Sequence, residues 1–489
     1  MGPPFYFIWM RSLTTLDFDN TFARLHPAFY EVVDPTPLSE PHIVAFNSDA
    51  AGLIDLDPGA AGDPEAARYL SGGLRLPGAE PVAALYAGHQ FGVWVPQLGD
   101  GRAILLGEVR NRRGERWDLQ LKGSGQTKFS RMGDGRAVLR STIREYLACE
   151  AMHGLGIPTT RALAIVGSPD PVYRETVETA ATVIRMAPTH IRFGSFQVLA
   201  ARGLTERITE LADYVINHHH PELAGLPDRY PRWLEIVVTR TAELMADWMA
   251  AGFAHGVMNT DNMSVLGLTL DYGPYGFLEE TDPGFICNHS DHEGRYAFGQ
   301  QPAVGLWNVA RFAEALLDLV SVDDANAALT RYAGVFEAGY GRRMREKIGL
   351  QAEQPDDPAL IAEMLGLMAA NRVDYSRWFR RLSEPVTLRT EIHGLERFDA
   401  WAARYTARLT AEDSNPTERR ARMNQRNPAF VLRNYLAQRT IERAEQGDFS
   451  EIAKLHGILR NPFVGRAEDA AYAEPAPPGD RGIVVSCSS

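Results

Sequence analysis

The chain has 489 residues, of which 45% are hydrophobic and 23% charged, a composition that excludes disorder as the main state and has room for one two-lobed enzyme or for two or three cores. Its 50 Lys and Arg against 62 Asp and Glu leave a formal charge of −12, which argues against a nucleic acid partner, because binding to a phosphate backbone draws on excess cations. The three cysteines, Cys149, Cys287 and Cys487, are too few for a disulfide-stapled secreted protein, so a reducing, cytoplasmic setting is expected.

The opening Pro3–Met10 run (PPFYFIWM) is apolar, yet it is far shorter than the ~20 residues of a membrane span and lacks the layout of a signal peptide. No membrane partner is expected, and Met10 reads as the true translation start. Up to about Pro81, short helical patterns alternate with Pro, Gly and Asp turns. Strand signals follow, at Ala103–Val109 (AILLGEV) and, after the turn residues Asn111–Glu115 (NRRGE), at Trp117–Lys122 (WDLQLK). In the second, Trp117, Leu119 and Leu121 alternate with Asp118, Gln120 and Lys122, which points Lys122 away from the buried face. A helix is predicted through Leu139, Ile143, Tyr146 and Leu147, with Gly154 as its stop. Strands near Leu163–Val166 and Ala181–Met186 complete a small sheet carrying one helix.

From Leu204 onward the pattern is mostly helical. Trp233–Ala251 is the clearest case, with Leu234, Val237, Val238, Thr241, Met245 and Trp248 on one face and Gly252 closing it. Val265–Leu270 (VLGLTL) reads as a tight hairpin through Gly267. Amphipathic helices are predicted near Val304–Leu319, Asp323–Ala338, Pro358–Ala370 and Leu432–Glu445, while Glu474–Gly479 (EPAPPG) cannot be helix.

No Walker A, HExxH, GxSxG or dinucleotide-type glycine motif is present. The chemistry is dispersed instead. In Leu98–Arg102 (LGDGR), Gly99 and Gly101 let backbone N–H groups approach phosphate, and Arg102 adds a bidentate donor; a plain hairpin turn is the alternative. Lys122 at a strand end, with Glu145 on the next helix, has the order of the kinase lysine–glutamate pair. Between them, Lys122–Arg136 (KGSGQTKFSRMGDGR) is a long glycine-rich loop, of a kind that is usually functional. The strongest signal is His255–Asn262 (HGVMNTDN) followed by Asp271–Gly273 (DYG), the kinase order H-R-D-x-x-x-x-N and then D-F-G, in which Asn and the second Asp hold metal. Val257, however, occupies the position of the kinase catalytic Asp, and Asp261 is the nearest substitute. Arg185 and Arg192 suit phosphate oxygens or surface ion pairs equally. Cys287–His292 (CNHSDH) reads as a polar loop rather than a zinc site.

These segments, together with Phe18–Leu25 (FDNTFARL), Tyr86–Gly92 (YAGHQFG), Arg131–Arg136 (RMGDGR), Phe285–Asp291 (FICNHSD) and the terminal Cys487–Ser489 (CSS), resemble the selenoprotein O family over nearly the whole chain. Ordinary serines follow Cys487, so no selenocysteine is present. The resemblance implies an α+β, two-lobed protein-kinase-like fold, with a small β-rich N-lobe carrying one key helix and a larger helical C-lobe. The corresponding divisions are an extension at 1–84, lobes at 85–195 and 196–470, and a tail at 471–489. It also implies transfer of AMP from ATP to Ser, Thr or Tyr hydroxyls of proteins, with UMP transfer from UTP as a further reaction. ATP would lie inverted relative to kinases, against Gly99, Gly101, Arg102, Lys122, Asp134, Gly135, Arg185 and Arg192. Asn262 and Asp271 would hold Mg2+ or Mn2+, Asp261 would accept the proton, and Glu145 would hold Lys122. The rival readings are a γ-phosphoryl kinase, against which Val257 argues, and an inactive nucleotide-binding regulator. Cys287, in the activation-loop equivalent, and Cys487, in the tail, form a candidate redox pair.

Overall fold

The apolar run Ala103–Val109 and the alternating Trp117–Lys122 lie at the centre of the sheet that carries half the cleft. The computed structural model describes residues 10–382, 385–480 and 482–485, so the Pro3–Trp9 stretch and Cys487 fall outside the described residues. The strands in chain order are β1 (Tyr30–Val32), β2 (His42–Phe46), β3 (Val82–Ala84), β4 (Gly88–Gln90), β5 (Val93–Val95), β6 (Ala103–Arg110), β7 (Arg116–Lys122), β8 (Ala137–Val138), β9 (Arg161–Tyr173), β10 (Val177–Ala187), β11 (Phe253–Ala254) and β12 (Gly276–Phe277). Among the described residues, an eight-stranded antiparallel sheet runs in the order β1-β3-β6-β7-β10-β9-β2, with β8 joined to β10. The turn between β6 and β7 follows its chemistry: Asn111 Oδ1 accepts the N–H groups of Arg113 and Glu115 at 3.0 and 2.9 Å.

One face of the sheet carries Leu119 and Leu121 of β7, Ile104 and Leu106 of β6, and Ile184 and Met186 of β10. They pack against Leu13, Ile54, Leu56 and Leu70, all from the first 84 residues. That segment also supplies β1 and β2 at the two edges of the sheet. Residues 10–84 therefore share a core and a sheet with the strands that follow.

The other face departs from expectation. Alternation alone would leave Asp118, Gln120 and Lys122 in water, but the helix Leu139–Gly154 lies across β9 and β10 on that side, and Asp118 and Gln120 are buried. The helices Asn434–Glu445 and Ser450–Leu459 close over its outer surface, so it is enclosed nearly all round. The closest approach is at Gly154, where a Cβ would lie 2.0 Å from the Leu459 carbonyl oxygen. Gly154 is thus a contact residue, and the helix stop is Gly156, whose φ is +77°. The bonds Gly156 N–H to His153 O and Ile157 N–H to Met152 O, at 2.9 and 3.0 Å, form a Schellman motif.

The helical part follows the sequence pattern closely. All six apolar-face residues predicted for Trp233–Ala251 are buried within the helix Arg229–Ala251, and Gly252 closes it at φ +70°. This helix packs along Gln301–Glu314 and Val322–Lys347. Val265–Leu270 is not a hairpin. Ser264 bridges to Arg192 and Thr269 to Thr159, so the arms of the Gly267 turn pair with different segments and tie the sheet side to the helical side. Among the described residues no helix is long and apolar enough to cross a membrane. The fold of the described residues is mixed α/β, with one large antiparallel sheet, the two-stranded pairs β4–β5 and β11–β12, and many helices.

Because residues 10–84 complete the core under the sheet, Leu56→Ala should destabilise the protein by about 2–5 kcal/mol, read as a lower denaturant midpoint. An unchanged midpoint would mean that this segment folds separately from the sheet.

Candidate active site

A cleft of about 600 Å³ opens between the sheet and the helical part. Gly99, Gly101, Arg102, Lys122, Asp134, Gly135, Arg185, Asp261, Asn262 and Asp271 all line it.

Its floor is a cluster of charges. Lys122, at the end of β7, donates to Glu145 Oε2 at 2.6 Å and lies 3.7 Å from Asp271 Oδ1. Register places Arg185 of β10 opposite Gln120 of β7; its guanidinium donates to Gln120 and Asp271, and to Glu145 Oε1 at 3.0 Å. Arg192 Nη1 donates to Asp271 Oδ2 at 2.8 Å and to the Asp261 carbonyl at 2.9 Å. Three cations thus surround two carboxylates, and the buried Asp100 lies near enough to stabilise both arginines, in surroundings poor in water where charge interactions are strong. Burial would raise the Asp271 carboxyl, but Arg185, Arg192 and Lys122 overcome it and hold the group well below the usual range. Burial also pushes the Lys122 ammonium down, against the pull of Glu145. Asp271 sits at φ +60°, a left-handed conformation uncommon outside glycine, fixed by the arginines on both its oxygens.

Arg192 does not line the cleft. It stands behind Asp271, with its guanidinium 4.6 Å from the centre of the Tyr86 ring, held in a recess that sequence spacing does not reveal.

The glycine motifs abut one another. Gly99 has φ +121°, and a Cβ there would come within 2.5 Å of the Phe129 ring; at Gly101 it would lie 2.8 Å from the Phe129 carbonyl oxygen. These glycines let the 123–136 loop close over the LGDGR turn, where Thr127 Oγ1 donates to the Asp100 carbonyl at 2.7 Å. Asp100 itself is buried, accepting from Ala84 N–H at 3.1 Å and Gln120 Nε2 at 3.2 Å. Asp134 pairs with Arg174 at 2.7 Å and accepts the Arg136 N–H at 2.9 Å, so its carboxylate anchors the loop.

On the helical side, His255 Nδ1 accepts the Val257 N–H at 3.3 Å and Nε2 donates to the Leu270 carbonyl at 2.9 Å. These bonds require the neutral ring, and burial lowers its pKa accordingly. The histidine thereby couples the Val257 loop to the segment delivering Asp271. Asn262 Nδ2 donates to the Val257 carbonyl at 3.1 Å, and among the described residues nothing donates to its Oδ1. Val257 lines the cleft with an aliphatic side chain.

Asp261 lies in the turn Thr260–Asn262. Oδ2 accepts from Gln90 Nε2 at 3.3 Å, while Oδ1 is buried without a hydrogen-bond partner among the described residues. Burial pushes this carboxyl up to about 6, against the pull of Arg192, a value suited to general-base work near neutral pH. The β4–β5 hairpin clamps the turn: His89 N–H donates to Thr260 Oγ1 at 2.7 Å, and that hydroxyl donates to Gln197 Oε1 at 2.6 Å. A Cβ on Gly88 would lie 2.6 Å from Asp261 Oδ1. Gln90, Thr260 and Gln197 were not singled out from the sequence; the one signal was the polar GHQ inside YAGHQFG.

Cys287 is buried, its Sγ 3.5 Å from the Ala254 carbonyl oxygen. Val485 pairs with the residues just after it: His289 N–H donates to Val485 O at 2.9 Å. Asp291 accepts the N–H groups of Arg295 and Tyr296 at 3.0 and 2.7 Å, shaping the polar loop.

With this geometry in hand, a family model described as protein adenylyltransferase SelO matches residues 12–460. The chain belongs to the SelO family. Relatives described as protein nucleotidyltransferase YdiU include proteins from Myxococcus xanthus, 54% identical, and Thioalkalivibrio sulfidiphilus, 55% identical. A third, from Pseudomonas fluorescens, is 49% identical. Each alignment spans 98% of this chain and the whole of the relative. Membership makes the SelO-family chain an enzyme of the nucleotidyltransferase class, as the family resemblance implied, with ATP as substrate.

Gly88→Ala should displace the Asp261 carboxylate while leaving the charge cluster intact. Since a shift of ~1 Å at a reacting group costs on the order of 10²-fold, turnover should fall by about that factor with ATP affinity preserved. Turnover kinetics paired with ATP titration read the two effects apart, and a fully active variant would remove the hairpin from the site.

Proposed function

We propose that this enzyme transfers AMP from ATP to Ser, Thr or Tyr hydroxyls of proteins, on a two-lobed kinase-like fold. In this reading residues 85–195 form the small lobe and 196–470 the large one, flanked by the 1–84 extension and the 471–489 tail. The observation that carries it is one cleft in which a phosphate-ready cluster of Lys122, Arg185 and Asp271 faces Asp261, with an aliphatic Val257 where a kinase needs a carboxylate.

ATP lies inverted, its β- and γ-phosphates against Lys122 and Arg185, with Arg192 adding charge from behind. Gly99, Gly101 and Arg102, with Asp134 and Gly135 of the loop, hold the remainder. The donors for a hard divalent cation would be Asn262 Oδ1, to which no hydrogen bond is made among the described residues, and the ionised Asp271, each of whose oxygens keeps a lone pair beside its arginine bond; the ATP phosphates and water would complete the shell. Mg2+ or Mn2+ bound there supplies charge neutralisation on the phosphates. The protein hydroxyl oxygen attacks the α-phosphorus as the bond to the bridging oxygen breaks. Pyrophosphate leaves with that electron pair, and the hydroxyl proton passes to Asp261. Glu145 touches no substrate; it holds Lys122 and Arg185 in place. UMP transfer from UTP would use the same phosphate contacts.

The Cys287–Cys487 redox pair, with reduction in the cytoplasm releasing this loop, is carried only by the tail reaching the loop at Val485; that bridge to Asn288 is parallel, a register that leads away from Cys287.

ATP labelled separately at the α and γ positions tests the reaction. Label should stay on protein only from the α position; retained γ-label would instead establish a kinase, and no label from either an inactive regulator. Asp261→Ala should lose ~10²–10⁴ of the transfer rate while keeping most ATP affinity, and Val257→Asp should not create γ-transfer.

Asp271→Ala should abolish the metal dependence of ATP binding, followed by titration calorimetry with and without Mg2+. Equal ATP affinity in both conditions for the wild type would defeat the metal assignment.

A further inference from the structure

A second groove adjoins the cleft on the side of Asp261, and the known reaction leaves it without a role. It encloses about 780 Å³ between the β4–β5 hairpin tip and the segment from Ser290 to Trp307, lined among others by Phe91, Val93, Arg295, Ala303, Val304 and Trp307. Phe91 belongs to both the groove and the ATP cleft, and its neighbour Gln90 is the residue bonded to Asp261. The groove therefore ends where an acceptor hydroxyl must arrive.

Its construction is unusual for surface filler. Phe91 and Gly92 both have positive φ, +50° and +82°, the signs of a type I′ hairpin turn. A bulky aromatic in that conformation is strained. It is held there because Phe91 N–H donates to the Tyr296 hydroxyl at 2.8 Å and its ring lies 5.0 Å from that of Tyr296. The strain fixes an aromatic side chain at the rim, beside Val93, which is 68% exposed. Below them the Arg295 guanidinium lies 4.7 Å from the centre of the Trp307 ring and under Gly92, where a Cβ would come within 2.9 Å of its Cζ. Its Nε is buried without a hydrogen bond, and among the described residues no carboxylate pairs with it. The groove also carries Asp291, whose two carboxylate oxygens accept the Arg295 and Tyr296 N–H groups, and the exposed Glu293. A guanidinium that neither of them pairs, set beside Phe91, Val93 and Trp307 and opening toward the transfer site, has the chemistry of a recognition pocket.

We propose that this groove receives the segment of the protein substrate that flanks the acceptor hydroxyl, with an apolar side chain against Phe91 and Val93 and an acidic side chain on Arg295. The proposal rests on AMP transfer to protein hydroxyls and gives that reaction a sequence preference.

The test is a positional-scanning library of unstructured peptides, each with one central Ser, Thr or Tyr, incubated with the full-length enzyme and α-labelled ATP. The wild type should favour an acidic residue at one position flanking the acceptor and an apolar residue at a neighbouring one. Arg295→Glu should switch the first preference from acidic to basic, a gain that loss of folding cannot imitate. Val93→Glu should raise the KM for favoured peptides about 10-fold, with the KM for ATP unchanged. A wild type without flanking preference, or an Arg295→Glu enzyme with the wild-type preference, overturns the groove while leaving the transfer reaction standing. Failure of the wild type to label any peptide overturns the proposed transfer to hydroxyls, and the groove with it.

Discussion

Asp271 sits among three cations, two of them arginines that are nearly inaccessible to water, and the rest of the cleft follows from that arrangement. A carboxylate so placed stays ionised, and the cations so placed stay oriented. Each group alone would be expensive to bury, and removing one partner of such a set typically costs about 3–5 kcal/mol. Glu145 is the second anchor, bonded to both Lys122 and Arg185. Lys122 and Arg185 line the cleft, and there the polyphosphate of the SelO-family reaction would meet their charge.

The opposite wall solves a different problem. Asp261 must be buried enough for its carboxyl to act near neutral pH, yet open to a hydroxyl arriving from solution. Packing of the buried Oδ1 against Gly88 provides the first condition, and the place of Asp261 in the cleft wall the second. The hairpin that does this reaches the surface at Phe91, so the element that sets the acceptor geometry also forms the rim a substrate meets.

The sequence disclosed the parts of this design that repeat at a fixed period. Lys122 at the end of an alternating strand, Glu145 on the following helix, and the Trp233–Ala251 face closed by Gly252 all stand as read. The order of HGVMNTDN and DYG identified the metal and acceptor candidates, because spacing along a loop is preserved in the chain itself. What depends on packing between distant segments was not legible. Alternation could not tell that a helix covers Asp118 and Gln120, nor that helices near the C-terminus enclose Leu139–Gly154 and require Gly154 for contact. VLGLTL has hairpin composition, yet Ser264 and Thr269 find partners in other parts of the chain. Arg192 reads as a phosphate ligand by type but is recessed behind Asp271, and Gln90 carries no signal beyond its motif, because its role is set by a contact 171 residues away.

The central claim is that the cleft turns the α-phosphorus, and not the γ-phosphorus, toward Asp261. A crystal structure of the enzyme with Mg2+ and an ATP analogue carrying a methylene bridge between the α- and β-phosphates measures this directly. The account predicts the terminal phosphate in contact with Lys122 and Arg185 and the α-phosphorus as the phosphorus atom nearest Asp261. A γ-phosphate nearest Asp261, with the α-phosphate against Lys122, would contradict it.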